Sequence, residues 1–219
     1  MARATDAPRA DRSVAPLRPT IVYLHGFRSS PASAKARQLG DAVAALPDAE
    51  RPILHVPTLD AGPADAIAAI LGLAARTDPA NLTFVGSSLG GYYATFAAER
   101  LGARAVLVNP AVRPYDDLAP YRGPQVNLYT GATFEVTDRH FDELRALAVT
   151  RITRPERYWL LVQAGDDVLD YRDAVRFYAG AWQFVQGGGD HGFVGFDAVI
   201  PALLRFCGVG GDAGFVRCD

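Results

Sequence analysis

The segment Gly86-Ser87-Ser88-Leu89-Gly90 fits the pattern G-x-S-x-G, with Ser88 at its centre. An apolar run, LTFV, leads into it and a helical run, YYATFAAERL, leads out. A serine on so tight a strand-to-helix turn is held in a strained backbone, with its hydroxyl raised above the sheet. Side chains two positions either side would collide where strand and helix cross, and Gly86 and Gly90 remove them. A phosphate-binding turn is the competing reading. The chain has no G-K-[ST] and no G-x-G-x-x-G to support it.

A serine hydroxyl needs a base to take its proton. Of the four histidines, His191 in GGGDHGF is the candidate, because its glycine-flanked loop follows the last expected strand. His55 closes a strand and reads as structural, and His140 reads as exposed. An imidazole base needs a carboxylate to fix its tautomer. QAGDDVLDY offers Asp166, favoured by its frame after the preceding strand, with Asp167 as the alternative and Asp170 a weaker one. The order Ser88, Asp166, His191 is nucleophile, acid, base. Chymotrypsin-like and subtilisin-like enzymes use other orders. A developing oxyanion needs preorganised N–H donors. The amide of Leu89 is one, and the amide of Phe27, in the loop His25-Gly26-Phe27, is the second. His25 reads as a structural hydrogen-bonding group.

These residues require a scaffold that brings three loops to one edge. Short apolar runs alternate with helical patterns from Thr20 onward. TIVYL, ILHV, NLTFV, AVLVN, YWLLVQ and WQFVQ read as strands, four of them almost continuously apolar, as suits strands buried on both faces. Helices are expected over about 32–46, 64–75, 89–101, 172–179 and 196–206. The class is α/β, a three-layer α/β/α sandwich on a mostly parallel sheet. Residues 111–157 break the rhythm with four prolines and one amphipathic segment, 140–149. They read as a cap-like insertion over the carboxyl end of the sheet, where ligands bind in open α/β sheets. Tyr115, Tyr121, Tyr129, Phe134 and Phe141 could wall a small acyl pocket there.

Composition excludes several classes. The chain has 219 residues, 49% hydrophobic, enough for one sizeable core. Net charge is −2, so no global basic field invites nucleic acid. No apolar run is long enough to span a membrane. The polar first 18 residues lack the apolar stretch of a secretory signal and read as a disordered tail. The domain is expected over 19–208, with a flexible tail over 209–219. Two cysteines, Cys207 and Cys218, form no disulfide framework, and a cytoplasmic location is expected. No cluster has metal-ligand spacing, so neither metal nor cofactor is expected, and a small molecule is the expected partner.

YLHGFRSSPAS, GSSLGGYYA, NPAVRPY, YTG, GDDVLDYRDAV and GGDHGFVGF together resemble the YqiA-type esterases of the α/β-hydrolase superfamily. The resemblance covers about residues 20–207. It implies an α/β-hydrolase fold and hydrolysis of short acyl esters, with Ser88 as nucleophile, His191 as base and Asp166 as acid. That family carries Asp-Glu at the acid position, where this chain has Asp166-Asp167. Acyl thioester hydrolysis, peptide or C–C bond cleavage, and a ligand-binding protein without catalysis are the alternatives on the same scaffold.

Overall fold

The computed structural model describes residues 18–59 and 62–210. The expected tails over 1–18 and 209–219 fall almost entirely outside the described residues. Val209, at the start of the second, is buried against the core, so the packed chain runs past residue 208.

Six strands form one sheet: β1 (Thr20–Leu24), β2 (Ile53–His55), β3 (Leu82–Ser87), β4 (Arg104–Val108), β7 (Tyr158–Gln163) and β8 (Trp182–Gln186). Their spatial order is β2-β1-β3-β4-β7-β8, and every neighbouring pair is parallel. The central strands β1, β3 and β7 are buried at every position, which explains why their sequences do not alternate. Successive side chains point to opposite faces and so build two cores. Val22, Leu24, Phe84, Leu107 and Leu160 face one layer, with α2 (Pro63–Ala74), α3 (Leu89–Leu101) and α6 (Tyr171–Phe177). Ile21, Tyr23, Val85, Val106 and Leu161 face the other, with α1 (Ala34–Ala44) and α7 (Phe196–Phe206). The three-layer sandwich is therefore as expected.

The chain steps from β1 outward to β2, then returns past β1 to β3. That reversal opens a crevice at the carboxyl ends of β1 and β3, where the Phe27 loop and Ser88 both begin.

The insertion differs in content from its sequence reading. It holds a short helix α4 (Pro114–Asp117), a helix α5 (Asp138–Ala146), and an antiparallel pair of strands that the sequence reading missed, β5 (Gly123–Val126) and β6 (Thr133–Val136). Three hydrogen bonds staple this hairpin to the loop after β1. Arg28 Nε donates to Val126 O at 2.9 Å, Asn127 Nδ2 to Ser29 O at 2.8 Å, and Leu128 N to Arg28 O at 2.9 Å. The Phe27 ring packs edge-on against Tyr121 and Phe134. The insertion thus lies over the carboxyl end of β1. Among the described residues no helix is long and apolar enough to cross a membrane.

Candidate active site

Ser88 sits between the end of β3 and the first turn of α3 at φ 55°, ψ −122°. Side-chain-bearing residues rarely adopt positive φ, and here the close crossing of strand and helix imposes it. A Cβ on Gly86 would lie 2.2 Å from Gly90 O. One on Gly90 would lie 2.1 Å from Leu24 O and 2.6 Å from His25 O. Both glycines are therefore required by backbone contact, Gly86 by the first turn of α3 and Gly90 by the end of β1 and the residue after it.

His191 reaches Ser88 from a loop at the other end of the chain. Its Nε2 lies 3.1 Å from Ser88 Oγ and its Nδ1 lies 2.8 Å from Asp166 Oδ2. With Nδ1–H donating to the carboxylate, Nε2 is left to accept the serine proton. Asp166 Oδ1 accepts the backbone N–H groups of Val168 and Leu169, both at 2.9 Å. Burial pushes the Asp166 carboxyl up, but the His191 bond and those amides outweigh it and hold the group below the usual carboxylate range. The Asp166 side chain is 2% exposed. Asp167 is exposed, and Asp170 instead caps α6 through Arg172 N. The geometry thus brings together Ser88, His191 and Asp166 and leaves the two alternatives outside.

Phe27 and Leu89 line one cavity, next to Ser88. A Cβ on Gly26 would meet Ser88 Cβ at 3.1 Å, so the loop after β1 closes down on the serine. His25 is buried, with Nδ1 3.0 Å from Gly26 O and Nε2 accepting Leu59 N–H at 3.2 Å. It ties two loops together, as its sequence position suggested. His55 lies on β2, at the edge of the sheet.

The cavity has a volume of about 430 Å³, within the usual range for ligand sites. Its apolar wall includes Leu59, Tyr93, Leu118, Phe134, Phe141 and Leu144. Of the five aromatics expected there, only Phe134 and Phe141 line it. Tyr121 stands behind Phe27, Tyr115 packs on the core under the Arg145 guanidinium, and Tyr129 is about half exposed. His140 corrects the sequence reading as well. It is half-buried and lines the cavity, and its Nδ1 accepts Thr137 N–H at 2.9 Å to cap α5. No group of His, Cys, Asp and Glu among the described residues could hold a metal ion.

Two buried amides went unnoticed in the sequence. Asn109 directly follows β4 and Gln163 ends β7, each a lone polar residue after an apolar run. That position is the signal that could have found them. Gln163 Oε1 accepts Asp190 N and Val194 N, while its Nε2 donates to Val194 O at 2.7 Å. Asn109 Nδ2 donates to Asp190 O at 2.9 Å and His191 O at 3.2 Å.

The parallel sheet, its reversal at β1 and β3, and a serine turn facing a histidine–carboxylate pair define an α/β-hydrolase fold. The chain belongs to the uncharacterised protein family UPF0227, the YqiA family, whose model matches residues 20–208. Solved structures carry the same fold. A candidate hydrolase from Agrobacterium vitis S4 is 21% identical, with 87% of this chain and 88% of that chain covered and a TM-score of 0.67. The esterase domain of a Rhodothermus marinus protein is 16% identical over 87% and 88% of the two chains, at 0.63. Mouse alpha/beta hydrolase domain-containing protein 10 is 16% identical over 85% and 87%, also at 0.63.

Proposed function

We propose that this chain is a serine carboxylesterase that cleaves short-chain acyl esters through an acyl-enzyme intermediate. The observation that carries the reading is the relay from Ser88 Oγ to His191 Nε2 at 3.1 Å and from His191 Nδ1 to Asp166 Oδ2 at 2.8 Å. The family membership and the esterase domain among its structural likenesses support it.

In the first half-reaction Ser88 Oγ attacks the ester carbonyl carbon and its proton passes to His191 Nε2. Asp166 stabilises the imidazolium. The amides of Leu89 and Phe27 donate to the oxyanion of the tetrahedral intermediate. The carbon–alkoxy bond then breaks, and the alcohol leaves with the proton from Nε2. In the second half-reaction His191 takes a proton from water, the hydroxide adds to the acyl carbon, and the carboxylic acid departs as Ser88 Oγ regains its proton. The cavity beside Leu89 and Phe27 receives the acyl group.

The test is covalent labelling by a fluorophosphonate together with hydrolysis of p-nitrophenyl butyrate. Wild type should label once, at Ser88. Ser88→Ala and His191→Ala should each lose roughly three or more orders of magnitude in turnover, because the groups act as a unit. Retention of a tenth of the wild-type rate in Ser88→Ala would sink the assignment, and a ligand-binding protein would not label at all.

A further inference from the structure

Four non-glycine residues among those described hold positive φ: Arg28 at 56°, Ser88 at 55°, Asn109 at 40° and Phe193 at 62°. Such backbone is unfavourable for most side-chain-bearing residues and persists only where the surroundings impose it. Three of the four adjoin groups with proposed roles. Arg28 follows Phe27, Ser88 is the nucleophile, and Phe193 lies two residues after His191. Asn109 has no such role, although it directly follows β4, the strand paired with the one that leads into Ser88.

Asn109 is 2% exposed, and its amide is fully engaged. Its Nδ2 donates to Asp190 O and His191 O, and its Oδ1 accepts Gln163 N–H at 3.0 Å. Its own N–H donates to Leu161 O at 2.9 Å. The loop it grips has no regular structure of its own between β8 and α7. That loop contains Gly187, Gly188, Gly189, Gly192 and Gly195, three of them at positive φ. A segment so rich in glycine does not hold a side chain in place by itself. Gln163 binds the loop at residues 190 and 194, and Lys35 Nζ donates to Gly192 O at 2.7 Å. Among the described residues, Asn109 is the side chain that bonds the carbonyl of His191 itself.

We infer that Asn109 is a positioning residue that sets the His191 imidazole over Ser88. The inference rests on the reading of His191 as the base of a serine hydrolase. A base must lie within hydrogen-bond reach of the proton that it takes. A displacement of about 1 Å can cost on the order of 10²-fold in rate. The strained backbone at Asn109 is what points its amide across to the histidine loop.

Two substitutions separate this role from general support. Asn109→Asp keeps the side-chain shape, the tolerance for positive φ and the acceptor for Gln163 N–H, and it replaces the donor to His191 O with an oxygen. Asn109→Gly keeps the backbone freedom and removes the whole amide. Val106→Ala, on the strand that leads into Asn109 and fully buried, is the control for lost stability. Expected for both Asn109 variants is a fall in kcat of about 10- to 100-fold, with KM little changed and fluorophosphonate labelling slowed in parallel. The low-field proton resonance of His191 Nδ1–H should shift or broaden in both. Val106→Ala should lower Tm and keep the kcat of the folded enzyme. Asn109 variants that melt earlier yet keep wild-type kcat and an unmoved His191 resonance would overturn the inference. Because the resonance is read without turnover, a wild type that fails to label refutes the esterase reading while the role of Asn109 is still judged.

Discussion

Asp166 uses both of its oxygens, one on His191 and one on two backbone amides, whereas its neighbour Asp167 faces solvent. Asp166→Asn should therefore impair ester hydrolysis severely, on the order of 10⁴-fold, because an amide favours the wrong imidazole tautomer. Asp167→Asn should leave kcat/KM nearly unchanged. Greater damage in the Asp167 variant would shift the acid by one residue. A carboxyl held low in the folded chain adds stability above its unfolded pKa of about 3.9, and this is lost as pH falls through the folded value. The stability gap between wild type and Asp166→Asn should accordingly narrow below about pH 4 in urea titrations. Lys35, the only lysine of the chain, gives the same sign of pH slope for a different reason, because here the charged form is the disfavoured one. Burial brings its ammonium down to about 8, although Asp190 and Asp166 pull upward. Between about pH 8 and 10.5 the unfolded chain holds a proton that the folded chain has released, so stability rises with pH there. Wild type should gain on Lys35→Met across that window. A constant difference, or a Lys35 side-chain resonance titrating near 10.5, would contradict the assignment.

At the level of elements, two kinds of glycine sit in helices and should respond oppositely to alanine. Gly90, in the first turn of α3, has no room for a Cβ against Leu24 O and His25 O. Gly90→Ala should cost at least the about 1–3 kcal/mol typical of overpacking. Gly72, exposed in α2, would place a Cβ in open space, so Gly72→Ala should add about 0.5–1 kcal/mol. Paired denaturant melts decide both signs. The same elements show what the sequence could and could not announce. β1, β3, β4 and β7 are legible because burial on both faces leaves an unbroken apolar run ending at a chemical loop. Ser88 and Asp166 were legible for a related reason, since each follows such a run at its carboxyl end, and His191 was legible from its glycine-flanked loop after the largely exposed β8. β5 and β6 were not. Each has only four residues, their positions are half-buried or exposed save one, and Pro124 breaks the strand signal. Asn109 and Gln163 escaped because a polar residue after an apolar run reads as its end, and their partners lie on a loop 27 to 82 positions away.

Across the whole molecule, the depth of the proposed acyl site is set by the distance from the sheet edge to the insertion. Leu89 and Phe27 form the near side, and Phe134, Val136, Phe141 and Leu144 come from the insertion. α5 is held against the start of α2, where Glu143 Oε2 accepts Ala64 N–H at 3.1 Å, so the far wall is anchored to the sandwich. Each methylene buried in such a cavity contributes about 0.8 kcal/mol, roughly fourfold in kcat/KM, until the chain meets the wall. Efficiency on p-nitrophenyl esters should therefore climb over the first few acyl carbons and fall before eight. Phe134 is only half-buried and lies on the hairpin. Phe134→Ala should thus retract the wall at little cost to the core and move the optimum to longer chains. Phe141 is 2% exposed, and truncating it would damage packing as well as the wall, at about 3–5 kcal/mol, which makes it the poorer probe. Measuring kcat/KM from two to twelve carbons in wild type and Phe134→Ala tests both statements. A wild-type maximum at eight carbons or beyond removes the short-chain pocket, and an optimum unmoved in Phe134→Ala removes the hairpin as its wall.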